Sequence, residues 1–182
     1  MANAVAERMD VDAFLLAFEG QGRWELRDGR PVKLSAETLG HVRVKARAFL
    51  ALRDAIARAG LPCEAFMDGL IVRIDRDNAY EPDASVQCGT HLPDHLLEAP
   101  SPIIVVEVVS PSSKTFDRRT KRKGYFSLAS LRHYLILDPD ERLVEHHFRT
   151  TQGALDSQTM ATGSLRLDPP GLEIDVASFF PA

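Results

Sequence analysis

The sequence predicts an α/β fold of the α+β kind, with a few helices and a larger set of strands, and three observations carry this. Between about Glu37 and Ala59 the apolar residues Val42, Ala46, Phe49, Leu50, Leu52 and Ile56 recur near a 3.6 period, as one long amphipathic helix requires. Pro102-Ile103-Ile104-Val105-Val106-Glu107-Val108-Val109 is an apolar run with one acid inside it, the pattern of a central strand covered on both faces. Arg23 to Leu34 alternates in type around Asp28-Gly29, a strong hairpin turn.

The elements follow in order. Val11 to Phe18 spaces Phe14, Leu15 and Phe18 helically before Gly20 and Gly22, giving a short opening helix. The β-hairpin comes next and carries Glu25. Gly60 and Pro62 end the long helix. Strand-like runs at Cys63 to Phe66, Leu70 to Ile74 and Ala84 to Cys88, separated by turn residues, suggest an antiparallel meander. After the central strand, Ser110-Pro111-Ser112-Ser113 supplies turn and N-cap chemistry for a helix reaching Ser130. His133 to Leu137 reads as a second buried strand, Pro139 to Arg142 as a turn, and Leu143 to Phe148 and Leu172 to Val176 as further strands.

A chain of 182 residues fits one domain spanning 1–182, since single cores occupy roughly 100 to 200 residues. The composition, 45% hydrophobic and 26% charged, is that of a folded protein and not of a disordered one. A formal net charge of -4 argues against general coating of nucleic acid, so any DNA contact must be local. Cys63 and Cys88 have no CxxC or histidine-rich company, which predicts two buried or free thiols and, by default, a reducing cytoplasm. No run reaches the length of a membrane span or a signal peptide. His91, His95, His133, His146 and His147 lack zinc-ligand spacing and read as surface or strand residues.

Glu107 is the most informative residue, because a carboxylate inside a β-branched strand requires compensating charge, either an ion pair or a metal. Asp83, at a strand start fixed by Pro82, is by itself an ordinary turn aspartate; together with Glu107 it could hold a hard divalent cation through oxygen ligands. Asp117, Lys121 and Tyr125 follow at i, i+4 intervals on one helix face, a pattern of a surface salt bridge or of an ammonium aimed at the strand end. Arg118, Arg119, Arg122 and Lys123 extend the positive field around them.

Taken in order, these segments resemble a known family. They are Trp24-Glu25-Leu26-Arg27-Asp28-Gly29; His41; Glu81-Pro82-Asp83; Val105-Val106-Glu107-Val108-Val109-Ser110-Pro111-Ser112; Asp117-x-x-x-Lys121-x-x-x-Tyr125; and His133-Tyr134-Leu135-Ile136-Leu137-Asp138-Pro139. The family is that of the Uma-two restriction endonucleases, within the PD-(D/E)xK nuclease superfamily, and the resemblance spans nearly the whole chain. It implies a restriction-endonuclease-like mixed central sheet flanked by helices, with Asp83 and Glu107 binding Mg2+ (Mn2+ in vitro). It assigns the lysine role to Lys121, because the superfamily's lysine two residues after the acid is replaced by Val109; Lys123 or Lys114 are the alternatives. Glu25 matches a further acid near the family's site. The implied activity is endonucleolytic hydrolysis of DNA. A catalytically inactive binding or scaffold protein, and a hydrolase of RNA or another phosphoester, are the other readings. A homodimer is expected, with Leu143, Val144 and Phe148 as a candidate seam.

Overall fold

The computed structural model describes residues 8–110 and 114–181. The expected N-cap chemistry at Pro111, Ser112 and Ser113, and the alternative role for the Lys114 side chain, lie outside the described residues. α1 (Val11–Phe18) leads into the hairpin β1 (Trp24–Arg27) and β2 (Arg30–Lys33). Asp28 and Gly29 at its turn both have positive φ, 49° and 74°, the backbone that a two-residue primed turn demands. α2 (Leu39–Ala59) is capped by the Thr38 hydroxyl, which accepts from His41 N, and ends at Gly60 with φ 61°.

Strands β3 (Cys63–Met67), β4 (Val72–Arg73), β5 (Ala79–Tyr80), β6 (Ala84–Cys88) and β7 (Ile104–Val108) follow. The helical run α3 (Lys114–Phe116), a π-helical turn (Asp117–Lys121) and α4 (Arg122–Tyr125) then leads to β8 (His133–Asp138), β9 (Leu143–Arg149), β10 (Leu155–Met160), β11 (Ser164–Leu167) and β12 (Leu172–Asp175). The helix therefore stops short of the expected Ser130. β10 and β11 are polar enough that no strand is expected there from their residues.

Six strands form the main sheet in the order β10-β9-β8-β7-β6-β3, and only the β7/β8 pair is parallel. The sheet is thus mixed. A parallel pair needs a long crossover, and the α3–α4 run supplies it. A second sheet, β2-β1-β5-β4, corrects the expected meander: the Leu70 to Ile74 segment pairs with β5 and joins the hairpin, away from β3 and β6.

β7 explains where the core divides. Ile104, Val106 and Val108 point to one face and pack under Val44, Ala48, Leu52 and Ile56 of α2. Val105 and Val109 point to the other, against Tyr125, Phe126 and Ile136. Each fully buried aliphatic contributes roughly 1.5–3 kcal/mol relative to exposure. By the period of two, Glu107 belongs to the Val105 face, under the helical run.

Two expectations are overturned here. Cys63 and Cys88 are disulfide-bonded, because the β3/β6 register sets them directly opposite one another; the two sulfurs are no sign of a reducing compartment. Val144 is fully buried in the core and β9 is paired on both sides, so Leu143, Val144 and Phe148 form no exposed seam. The histidine reading holds: His91 and His95 are exposed, and His133 and His146 are buried on strands.

Candidate active site

Two groups of charged side chains meet at one cleft. The first surrounds Glu107, which is 4% exposed. Lys121 Nζ donates to Glu107 Oε1 at 2.8 Å, and Tyr125 OH donates to the same oxygen at 2.8 Å. The ammonium also lies 2.7 Å from Glu25 Oε1 and 3.6 Å from Asp117 Oδ1. Glu25, fully buried on β1, accepts from Arg27 Nε at 2.8 Å and from Glu81 N at 3.3 Å. Arg27 in turn stacks over Phe116.

Glu25, Glu107 and Asp117 crowd around the Lys121 ammonium, and the electrostatics follow from that arrangement. Burial pushes the Glu25 carboxyl up, but Lys121 and Arg27 outweigh it and hold it below the ordinary range. Burial pushes Glu107 well up; Lys121 opposes this, and the neighbouring Asp117, Asp83 and Glu25 reinforce it. Burial alone would lower the Lys121 ammonium, yet Glu107, Glu25 and Asp117 raise it, so it stays charged.

The second group surrounds Asp83, just before β6. Asp83 bonds β7 twice: its N–H donates to the Val106 carbonyl at 3.1 Å, and its side-chain Oδ2 accepts from Val108 N at 2.7 Å. Asp83 Oδ1 lies 3.4 Å from Arg23 and 3.6 Å from Lys45. Lys45, 4% exposed on α2, also pairs with Glu37 and, at 3.0 Å, with Asp68. Arg23 pairs with Glu37 and, at 2.6 Å, with Glu81. His41 Nε2 lies 3.4 Å from Asp83 Oδ2 and 3.6 Å from Glu37 Oε1, but is buried and makes no hydrogen bond. Burial pushes the Asp83 carboxyl up, and His41, Val108 N–H and Lys45 outweigh it and hold it low.

The cleft between the groups has a volume of about 760 Å³ and is lined by Arg23, His41, Asp83, Glu107, Asp117 and Lys121, among others. Of the residues singled out from sequence, Asp83, Glu107, Lys121 and Asp117 line the cleft, and Glu25 and Tyr125 support it from behind. Lys123 is exposed and does not line it. Sequence reasoning missed Glu37, Lys45, Arg23, Asp68 and Glu81, and gave His41 no role. A signal was present: Glu37, His41 and Lys45 stand at successive intervals of four, a polar stripe at the start of a helix whose Val44, Ala48, Leu52 and Ile56 face the core.

A divalent cation fits these residues. Glu37, His41 and Asp83 each offer one ligand atom, all within 4.8 Å of one another. Glu107 closes the same cleft with a further carboxylate.

A mixed sheet whose central strand carries a buried acid against a helix-borne lysine, with a second acid at the start of the adjacent strand, is of the restriction-endonuclease-like class. The chain belongs to the Uma2 family, described as "Putative restriction endonuclease", whose profile matches residues 10–177. A crystal structure from Anabaena variabilis, described as a putative nuclease belonging to DUF820, shares the fold with a TM-score of 0.73 at 17% sequence identity, covering 94% of this chain and 97% of that one. No curated protein matches the chain in sequence. Among the described residues no helix is long and apolar enough to cross a membrane.

Proposed function

We propose that the chain is a single-domain, divalent-metal-dependent endonuclease that hydrolyses DNA phosphodiester bonds. The observation that carries this reading is the convergence of Asp83, Glu107 and Lys121, from two strands and a helix, on one cleft. A divalent cation such as Mg2+, held by Asp83 with Glu107 beside it, would supply phosphate polarisation and a bound water of lowered pKa. Lys121 positions the attacking water and stabilises charge building on the phosphate as the bond to the leaving oxygen breaks. Glu25, Asp117 and Tyr125 hold Lys121 and Glu107 in place, so they are positioning residues. Arg23 and Arg27 at the cleft wall supply positive charge for the phosphates flanking the scissile one, the local contact that an acidic chain needs.

The test is cleavage of supercoiled and linear DNA with Mg2+ or Mn2+, comparing the wild type with Asp83→Asn and Glu107→Gln. Activity falling by about two powers of ten or more in each folded variant supports the assignment. Wild-type activity in either variant removes that residue from the chemistry. Cleavage of RNA or small phosphoesters but not DNA would redirect the substrate.

One observation favours a second reading, an inactive nuclease-fold binding protein: each acid of the site already has a cation or backbone partner within the protein. DNA retained without cleavage under every metal condition would select it. Cleavage of both strands of a duplex suits a two-fold pair of chains, and gel filtration giving only a 20.2 kDa species would remove the dimer.

A further inference from the structure

We propose that Glu37, His41 and Asp83 form the cation site of this cleft, that its imidazole nitrogen selects Mn2+ and neighbouring transition ions over Mg2+, and that Lys45 is the internal cation it competes with. This rests on the metal-dependent reading above and assigns the ion to one side of the cleft, away from Glu107.

Three observations lead to it. The three side chains present two carboxylates and one imidazole with ligand atoms within 4.8 Å of one another. His41 Nε2 is buried, lies 3.4 Å and 3.6 Å from oxygens of both acids and completes no hydrogen bond with either, a position that a cation bound between the three side chains would satisfy. Among the described residues, Glu37, Asp68, Glu81 and Asp83 meet the two cations Arg23 and Lys45, a deficit of two positive charges when His41 is neutral. A divalent cation matches that deficit. Glu107 lies outside this group of three ligand atoms and accepts from Lys121 and Tyr125. The donor set decides the ion: water and carboxylate suit Mg2+, whereas a neutral imidazole adds affinity for Mn2+ and the later first-row ions. Lys45 Nζ lies against Glu37 Oε2 and Asp83 Oδ1, the other oxygen of each carboxylate from the one nearest His41, so ammonium and metal would compete for the same two carboxylates.

The experiment is calorimetric titration of Mn2+ and of Mg2+ into the full chain and into His41→Asn, Glu37→Gln, Lys45→Met and Glu107→Gln. Electron paramagnetic resonance of the Mn2+ complexes reads nitrogen coupling, and the metal-induced Tm shift reports binding even where a variant is less stable. We expect Mn2+ to bind the wild type about tenfold or more tightly than Mg2+, with a nitrogen coupling that disappears in His41→Asn. His41→Asn and Glu37→Gln should each weaken Mn2+ by about tenfold or more, Lys45→Met should tighten it, and Glu107→Gln should change it by less than about threefold. Mn2+ binding that is unchanged in His41→Asn and Glu37→Gln but lost in Glu107→Gln overturns this site while leaving an Asp83–Glu107 metal nuclease intact. Absence of saturable Mn2+ binding overturns the site as well, and DNA cleavage then decides the nuclease reading separately.

Discussion

Replacing Lys121 with Met keeps most of the length of the side chain and removes a charge shared by three acids. Lys121 is 4% exposed and lies 2.8 Å from Glu107, 2.7 Å from Glu25 and 3.6 Å from Asp117. Arg27 remains on Glu25, so the variant chiefly leaves Glu107 without the ammonium that faces it. Breaking a buried pair from one side costs about 3–5 kcal/mol, a large share of a total stability of about 5–15 kcal/mol. The assay is urea unfolding followed by circular dichroism at pH 8 and pH 5.5. Glu107 already titrates above its ordinary value, and the variant removes the partner that holds it down. An acid raised in the folded state binds a proton there that the unfolded chain does not, so folded stability falls as pH rises from the ordinary carboxyl range through the raised value. The variant should therefore lose more at pH 8 than at pH 5.5. Adding Glu107→Gln should restore roughly half of the loss at pH 8, because the charge left alone is then gone. A cost below about 1 kcal/mol at pH 8, or no recovery in the double variant, would refute the account of Lys121 as the electrostatic centre. The outcome also governs enzymology, since lost cleavage in Lys121→Met reports chemistry only where the fold survives.

Two further outcomes are expected. His133 Nε2 donates to the Pro169 carbonyl at 2.8 Å, its Nδ1 accepts from His146 Nε2 at 2.9 Å, and His146 Nδ1 accepts from the Gln158 amide at 3.2 Å, a chain satisfied only by two neutral rings. Burial pushes His133 down to about 4 and His146 down to about 3, so the unfolded chain binds protons that the folded chain refuses; stability should fall by at most about 6 kcal/mol from pH 7 to pH 4, about half from each ring, and a flat profile across that window would contradict it. Gly124→Ala would set a Cβ 3.0 Å from Tyr80 and 3.3 Å from Ile74, and the resulting push between α4 and β5 should lower Tm by an amount corresponding to about 1–2 kcal/mol, whereas an unchanged or raised Tm would show that the contact yields.

Much of the site is legible in the residues. Glu107 announces itself because an acid inside an aliphatic run is costly unless charge meets it, and the structure places Lys121 and Tyr125 there. The i, i+4 spacing of Asp117, Lys121 and Tyr125 brings them to one side even though a π-helical turn runs through them. The half of the cleft around Asp83 was less legible. Glu37 and Lys45 fall on a long helix and Arg23 at the edge of the hairpin, and nothing local marks them, because their significance comes from a strand start more than 35 residues away in sequence from α2's first turns.

Hydrophobic period and turn chemistry are local properties, and through them the sequence by itself determined the helix α2, the hairpin with its Asp28-Gly29 turn, and the buried β7 with the acid Glu107 inside it. Strand partners and register are not local, since a strand's alternation states which face is buried and nothing about its neighbour. For that reason only the tertiary structure decided that β4 joins the hairpin, that Cys63 meets Cys88, that Val144 is core, and that Glu37, His41 and Asp83 converge beside Lys45.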